Sequence, residues 1–203
     1  DLGIDSGAVD GKVLTVNISI ITKLDIQKNA IQDLTGIEAF LSLENLQCSS
    51  NNLTTLDLSK NTALTDLYIS YNKLNFLDIS KNLNLTVLNC DNNYNLGGLD
   101  ISSNTNLKFL NCFRCNIFNL DVSKNTALSV LDCTRNNIKF LDLSKNLNLT
   151  ELNCSGNMLS SLDVSKNTNL KRLVCEFNEI LSLDVSKNTA LTHLHCHRNK
   201  ISI

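Results

Sequence analysis

The chain has 203 residues, a formal net charge of -2 and 42% hydrophobic residues. This length is enough for one domain with a substantial core, and the slightly negative charge argues against a nucleic-acid-binding protein, which normally carries a basic excess. No apolar run approaches the ~20 residues that a membrane-spanning helix requires.

The first 20 residues differ from the rest and predict an N-terminal capping segment. The start, DLGIDSGAVDGK, lacks an initiator Met and the basic and apolar parts of a signal peptide, so we expect a trimmed chain. Within GIDSGAVDGKV the acidic residues are Asp5 and Asp10, too few for a calcium cage, and no cofactor is predicted. The following VLTVNISI alternates and predicts a strand whose apolar face carries Leu14, Val16, Ile18 and Ile20.

Residues 21–203 repeat a unit of 21 or 22 residues, which we count as about nine units, the last incomplete. Most units have Leu five and two positions before a cysteine, Asn three positions after it and Leu or Ile five positions after it, as in LENLQCSSNNL. This is the leucine-rich repeat pattern, with cysteine in its third apolar position. Since the chain stops within a unit, we expect the natural protein to continue. The repeating cysteines are Cys48, Cys90, Cys112, Cys133, Cys154, Cys175 and Cys196.

The repeat predicts an α/β-type repeat solenoid with little regular helix. Each unit contributes one short strand, roughly from three residues before the cysteine to one after it, and parallel stacking of the strands forms a concave sheet. Leu and Cys alternate inward, and the residues between them point outward. A buried Leu contributes only ~1.5–3 kcal/mol, so a single unit cannot fold alone and the core must run through the stack.

Cys112 and Cys115 form a Cys-x-x-Cys pair, which elsewhere can mean a redox couple or half of a zinc site. The repeat gives each an ordinary place: Cys112 is in the third apolar position, and Cys115 is in the Asn position. Ile69 occupies the cysteine position of another unit, so that position requires apolar volume, and free cysteine is a small hydrophobe. In-register parallel side chains do not meet the disulfide torsion, so we expect all eight cysteines to be reduced and inaccessible.

Polar residues also recur with the period of the repeat. The Asp and Lys of the LDLSKN segments indicate turn chemistry and solubility. The Asn that follows each cysteine is expected to satisfy backbone groups where the chain leaves the strand. This column comprises Asn29, Asn51, Asn72, Asn93, Asn136, Asn157, Asn178 and Asn199.

The units from LENLQCSSNNLTTLDLSKNTA to LTHLHCHRNKISI resemble internalin-type bacterial leucine-rich repeats, in particular the internalin J-type repeats with a cysteine ladder, over about residues 12–203. They are also similar to repeat regions of secreted Bacteroidetes surface proteins. The resemblance implies a secreted or cell-surface binding protein, often an adhesin. Departures are Ile69, Cys115 and one extra residue near position 94.

Outward positions in the middle units are rich in rings, although aromatic residues are only 5% of the chain. Exposed aromatics beside arginine are typical of interface hot spots, and an exposed apolar patch commonly marks a binding site. The alternative is that these rings merely pack on one another across adjacent strands. The candidate binding residues are Tyr68, Tyr71, Val87, Phe109, Phe113, Arg114, Val130 and Arg135.

The three histidines of the chain, His193, His195 and His197, are spaced by two and share one face of a strand. Such imidazoles can meet on one metal, with Glu176 of the neighbouring unit as a further ligand. The strand is shallow and exposed, so the sequence predicts no metal but a solvated or partner-facing strand.

The sequence favours a binding module over an enzyme, because no nucleophile with a placed base and no phosphate loop is present. We expect recognition of a protein partner through the concave face; a glycan-binding module or a passive surface spacer are the alternatives. The identity of the partner does not follow from the sequence, and neither a nucleic acid nor a transmembrane segment is expected.

Overall fold

Residues 18–202 of the chain are described by a computed structural model, in which they form a solenoid built on nine short parallel strands. Every strand has three residues, and the strands follow one another in the sheet in the order of the sequence. They are β1 (Lys23–Asp25), β2 (Asn45–Gln47), β3 (Asp66–Tyr68), β4 (Val87–Asn89), β5 (Phe109–Asn111), β6 (Val130–Asp132), β7 (Glu151–Asn153), β8 (Arg172–Val174) and β9 (His193–His195). A 3-10 helix covers Ile37–Ala39.

The central leucine of each strand sets the register of the sheet. Leu24 pairs with Leu46, and the same pairing continues strand by strand to Leu194. A slip of one residue would turn these leucines to the surface, so burial holds the register. We call each strand, with the turns that follow it, a rung. Consecutive rungs repeat the same contacts, which confirms the predicted solenoid with little helix.

The cysteine positions form a continuous column inside the solenoid, which we call the ladder. Its members from the second rung to the eighth, including Ile69, are fully buried between the leucines. All eight cysteines are unpaired. The last, Cys196, is only partly buried, because among the described residues no further rung packs on it. The prediction that every thiol is inaccessible is therefore wrong for Cys196.

The asparagine column after the ladder bonds the backbone, as predicted. Asn136 is representative: its Nδ2 donates to the carbonyl oxygens of Cys112 and Cys133, both at 2.9 Å. Its Oδ1 accepts the backbone N–H groups of Cys115 and Ile117 at 3.1 and 3.0 Å. The amide thus satisfies two N–H groups and the Cys112 carbonyl, which the turn out of the strand would otherwise leave unpaired, and shares the Cys133 carbonyl with Asn157 of the next rung.

A second asparagine column lies on the far side of the core, and the sequence analysis did not single it out. In each member Nδ2 donates to two carbonyl oxygens of the preceding rung; Asn146, for example, bonds Val122 and Asn125 at 3.0 Å. The Oδ1 atoms of this column find no hydrogen-bond partner among the described residues. The members are Asn61, Asn82, Asn104, Asn125, Asn146, Asn167 and Asn188.

The recurring aspartates build the turns on the outer side, which confirms the turn-chemistry interpretation. In Asp142, Oδ1 accepts the backbone N–H of Ser144 at 2.8 Å, the geometry of an Asx turn. This hydrogen bond, together with the nearby Lys145, lowers the pKa of the Asp142 carboxyl. The other aspartates of the column make the same bond two residues onward.

The extra residue near position 94 is absorbed outside the sheet. Val87 still pairs with Phe109 although the spacing is one residue longer than in the other units. Gly97 adopts φ 69°, and its N–H donates to the carbonyl of Cys115 at 3.0 Å. Leu96 is therefore pushed one place along and remains buried.

The predicted N-terminal strand is not formed by residues 18–20, the part of it that the structure describes. Ile18 is helical, and the two residues after it form a turn. Ile18 is buried while Ile20 is 75% exposed, so the two do not share a face. The rest of that prediction, including Leu14 and Val16, lies outside the described residues.

Within residues 18–202, no helix has the length and apolar character needed to cross a membrane.

Candidate functional site

Four outward rows run along the concave side of the solenoid. The first and third residues of every strand supply two of them, and the two residues after each ladder position supply the others. Because neighbouring strands pair in register, residues of one row are adjacent on neighbouring rungs. The rung order therefore decides which variable side chains are neighbours.

The second residue after each ladder position stands in a row that we call the ridge. All its members have left-handed backbone conformations: φ is 53° in Arg114 and Arg135, and 64° in the one glycine, Gly156. For a residue with a Cβ this conformation costs ~1–2 kcal/mol. It lets each ridge N–H bond the next rung; Arg135 N–H donates to the carbonyl of Ser155 at 2.8 Å. The ridge comprises Lys28, Ser50, Tyr71, Asn92, Arg114, Arg135, Gly156, Phe177 and Arg198.

Three predicted binding residues form an apolar strip on neighbouring strands. Val87 pairs with Phe109, which pairs with Val130. All three are the first residues of their strands and are half-buried. The same row carries Asp66 before the strip and Glu151 after it, so the strip is short and bounded by carboxylates.

Three further predicted residues form a second cluster on two of the same rungs. The guanidinium of Arg114 lies 5.2 Å from the centre of the Phe113 ring, and that of Arg135 lies 5.9 Å from it. Such contacts contribute ~0.5–1 kcal/mol each at exposed sites. Among residues 18–202 neither arginine forms an ion pair. We call Arg114 and Arg135 the arginine pair and Phe113 its ring; within the described residues the positive charge of the pair is not neutralised by an ion pair.

The two predicted tyrosines lie apart from both groups. Tyr68 ends its strand and is paired with Gln47 and Asn89, while Tyr71 is exposed on the ridge. In the described part of the chain the ring–ring contact is between Phe177 and His197, with centres 5.8 Å apart. Within residues 18–202 the predicted rings therefore do not pack on one another, contrary to the alternative interpretation.

Cys112 and Cys115 have the structural positions assigned to them from the repeat. Both are fully buried, and burial raises the pKa of the Cys112 thiol well above its usual range. The Cys115 thiol donates to the carbonyl of Cys90 at 3.1 Å, the place that an Asn amide takes in other rungs. The Cys112 thiol is therefore protonated and unreactive, and Cys115 takes a structural role in the backbone hydrogen bonding of the turn.

The histidine strand is bound to one carboxylate rather than arranged around an open centre. Nδ1 of His195 lies 3.0 Å from Oε1 of Glu176, and Nδ1 of His197 lies 3.3 Å from the same oxygen. His193 instead contacts the hydroxyl of Thr192 at 2.9 Å. Over residues 18–202 no cluster of three or more His, Cys, Asp or Glu side chains is placed to hold a metal ion.

Two features were missed in the sequence. A notch interrupts the ridge at Gly156, where a cavity of about 370 Å³ opens between Arg135 and Phe177. The signal was available, since Gly156 is the glycine of an otherwise side-chain-bearing column. Exposed rings also occur beyond the turn that follows the strand, off the concave face, as in Phe76 and Phe140; ring exposure alone therefore does not define a site.

Comparison with known proteins gives a consistent relationship. No family model matches the chain. Internalin J of Listeria monocytogenes serotype 4b (strain F2365) is 49% identical over 45 residues, 22% of this chain and 5% of that protein. The solved functional domain of InlJ from Listeria monocytogenes, which includes a cysteine ladder, superposes with a TM-score of 0.91 at 45% identity, over 93% of this chain and 42% of that one. The chain therefore spans less than half of that domain.

Two further solved structures share the fold. The internalin InlF from Listeria monocytogenes has a TM-score of 0.74 and 25% identity, and the match covers 95% of this chain and 65% of that one. A leucine-rich-repeat protein of Leptospira interrogans has a TM-score of 0.81 at 23% identity, over 92% of this chain and 51% of that one. The second likeness is informative about the fold alone.

Proposed function

Because the chain is an internalin-like leucine-rich-repeat domain of the cysteine-ladder type, we propose that it is a non-enzymatic binding module of a secreted or cell-surface protein. In this proposal it recognises a protein partner through the middle of its concave face, in the manner of an adhesin. The observation that carries the proposal is that the apolar strip shares its rungs with two arginines that form no ion pair within residues 18–202.

The two groups define the chemistry of the partner. Phe109 and Phe113 are four residues apart, which corresponds to ~13 Å along an extended chain. A complementary surface carries an apolar side chain for the strip and, at about that distance, a carboxylate for the guanidinium groups of Arg114 and Arg135. Half-buried rings and arginines of this kind supply most of the binding energy in characterised interfaces.

Other functions have weaker support. A passive spacer needs only a uniformly polar concave face, whereas Val87, Phe109 and Val130 form an apolar strip there. An enzyme requires convergent reactive groups in a pocket. The ladder thiols from Cys48 to Cys175 are buried and protonated instead, since burial raises the pKa of thiols such as Cys112.

Capture from host-cell and bacterial surface extracts, with the domain immobilised, tests the proposal. The variants Phe109→Ser and Phe113→Ser should each weaken binding of the captured protein at least tenfold, which is about 1.4 kcal/mol, with an unchanged melting temperature. Phe140→Ser is the matched control, because it removes a 71% exposed ring outside the concave face. The concave-face assignment is wrong if Phe140→Ser abolishes capture while both concave variants retain it.

A further inference from the structure

The notch at Gly156 is a built cavity rather than a simple gap in the ridge. One wall is the side chain of Arg135, whose Cγ would lie 3.2 Å from a Cβ added at Gly156. The other wall is the ring of Phe177, two rungs from Arg135. The ring is fixed from the far side by His197 and Arg198 of the following rung. Its side toward the preceding rung, where Gly156 lies, is available to a ligand.

The lining of the notch is mainly apolar and includes several polar side chains. Thr134, Asn153 and Ser155 line it, together with buried Val174 and the carboxylate-bearing Glu176. The hydroxyl oxygens of Thr134 and Ser155 are covered and find no hydrogen-bond partner among the described residues. Buried hydroxyls without partners are rare in folded proteins.

These two hydroxyls are exceptional in their own row. At the equivalent position two other rungs have serines with bonded hydroxyls: Ser49 Oγ accepts the N–H of Ser70 at 3.1 Å. Ser70 Oγ in turn donates to the carbonyl of Asn89 at 3.4 Å. The hydroxyls of Thr134 and Ser155 can therefore rotate into the cavity and bond a ligand without giving up a bond in the protein.

We propose that this notch binds one hexopyranose unit of a glycan. A pyranose chair has two C–H faces for the Phe177 ring and the Arg135 stem, and a polar edge of hydroxyls that both donate and accept. Hydroxyl, amide and carboxylate groups in the lining match that edge. An aliphatic side chain of a partner would leave the hydroxyls of Thr134 and Ser155 unsatisfied, and a tyrosine has a single hydroxyl to offer them.

Arg135 and Phe177 are two rungs apart, so their backbones are separated by ~9.6 Å. This site is separate from the proposed protein-binding site, with Arg135 bordering both.

Saturation-transfer NMR with a panel of methyl glycosides tests the proposal. The panel contains the methyl glycosides of glucose, galactose, mannose, fucose and N-acetylglucosamine, and N-acetyl-tyrosinamide is the comparison probe. At least one glycoside should bind the wild-type chain. Gly156→Phe, which fills the notch at a position whose neighbours already carry side chains with positive φ, should abolish that signal.

Ser155→Ala provides a second variant that does not fill the cavity. It removes a hydroxyl that bonds nothing in the protein, so the fold should be unaffected while glycoside affinity falls about tenfold. Ser50→Phe is the matched control: it adds the same ring to the same ridge, with φ 57° at Ser50, five rungs or ~24 Å away, and should leave glycoside binding unchanged.

The proposal is wrong if no glycoside binds, if Gly156→Phe folds and binds as the wild type does, or if N-acetyl-tyrosinamide alone occupies the notch. Protein capture separates the two proposals. Glycoside binding that survives Phe109→Ser supports the notch whatever the capture assay gives. Loss of capture in Phe109→Ser supports the protein-binding site even if every glycoside fails to bind.

Discussion

Replacing Asn136 in the column after the ladder should destabilise the solenoid more than replacing Asn146 in the second asparagine column. Asn136 makes five bonds to the backbone: its Nδ2 donates to three carbonyls and its Oδ1 accepts two N–H groups. Asn146 makes two, both as donor. Truncation of Asn136 to Ala leaves the N–H groups of Cys115 and Ile117 and the carbonyl of Cys112 without a partner among the described residues, whereas both carbonyls bonded by Asn146 keep a backbone N–H bond.

The expected loss in the free energy of unfolding follows from the number of backbone groups left without hydrogen-bond partners. Each buried backbone group without a partner costs ~1–3 kcal/mol, and partial relaxation reduces the sum over the three such groups, so Asn136→Ala should cost ~3–5 kcal/mol. Asn146→Ala loses two ordinary hydrogen bonds and leaves no carbonyl without a partner, so it should cost ~2 kcal/mol. Asn136→Cys should recover part of the loss, because Cys115 already fills this position in the preceding rung, where its thiol donates to the Cys90 carbonyl at 3.1 Å.

Urea unfolding monitored by circular dichroism measures the three variants against the wild type. The expected order of stability is wild type, then Asn146→Ala or Asn136→Cys, then Asn136→Ala. A loss in Asn146→Ala equal to or greater than that in Asn136→Ala would refute the reasoning that unpaired backbone groups set the cost. Asn136→Cys no more stable than Asn136→Ala would refute the substitution argument.

Three further predictions concern thiols, turns and zinc. A thiol reagent at neutral pH should label Cys196 alone, and all eight cysteines after denaturation; rapid native labelling of a second thiol would contradict the burial. Burial raises the pKa of Cys48 and Cys175 to about 12, above the ~8.5 of an unfolded thiol. The stability that these protonated thiols contribute is therefore complete below pH ~8.5 and falls as the pH rises toward 12. A free energy of unfolding that stays constant over this range would contradict this prediction. The turn hydrogen bond lowers the pKa of Asp142, so the stability that the Asp142 carboxylate contributes is present above the ordinary carboxyl pKa and is lost as the pH falls through the lowered value. Asp142→Ala should therefore flatten the acid side of the stability curve, whereas Asp142→Asn should keep the turn. Equal melting temperatures for the two variants at neutral pH would argue against the turn bond. Micromolar zinc should not raise the melting temperature, because His195 contacts a carboxylate outside any metal cluster of the described residues; a rise that disappears in His195→Ala would overturn this assignment.

The sequence by itself determined the solenoid. A period of 21 or 22 residues, with Leu, Cys and Asn at constant offsets, allows one register in which every leucine is buried, so strand order and pairing follow from the pattern. The same offsets predicted structural roles for Cys112 and Cys115, and both side chains are buried. The second asparagine column recurs just as regularly, in the SKN segments, but recurrence alone does not show that these side chains are buried on the far side of the core.

The N-terminal strand prediction failed for the converse reason. Alternation over VLTVNISI is a local pattern outside the repeat, with no second copy to fix its register. In the described residues Ile18 packs inward from a helical position and Ile20 is exposed. Local periodicity without a stacking partner does not determine which face is buried.

Only the tertiary structure decided which outward residues form a site. Arg135 lies 21 residues from Arg114, yet stacking places both guanidinium groups on the Phe113 ring. The left-handed φ of these arginines belongs to the turn that every rung repeats, in which the N–H groups of Arg114 and Arg135 bond the next rung. The notch exists because Gly156 lacks a side chain between two neighbours that have one. The arginine contacts, the hydrogen bonds of the ridge and the notch all depend on the stacking of rungs, because each involves residues from more than one repeat unit.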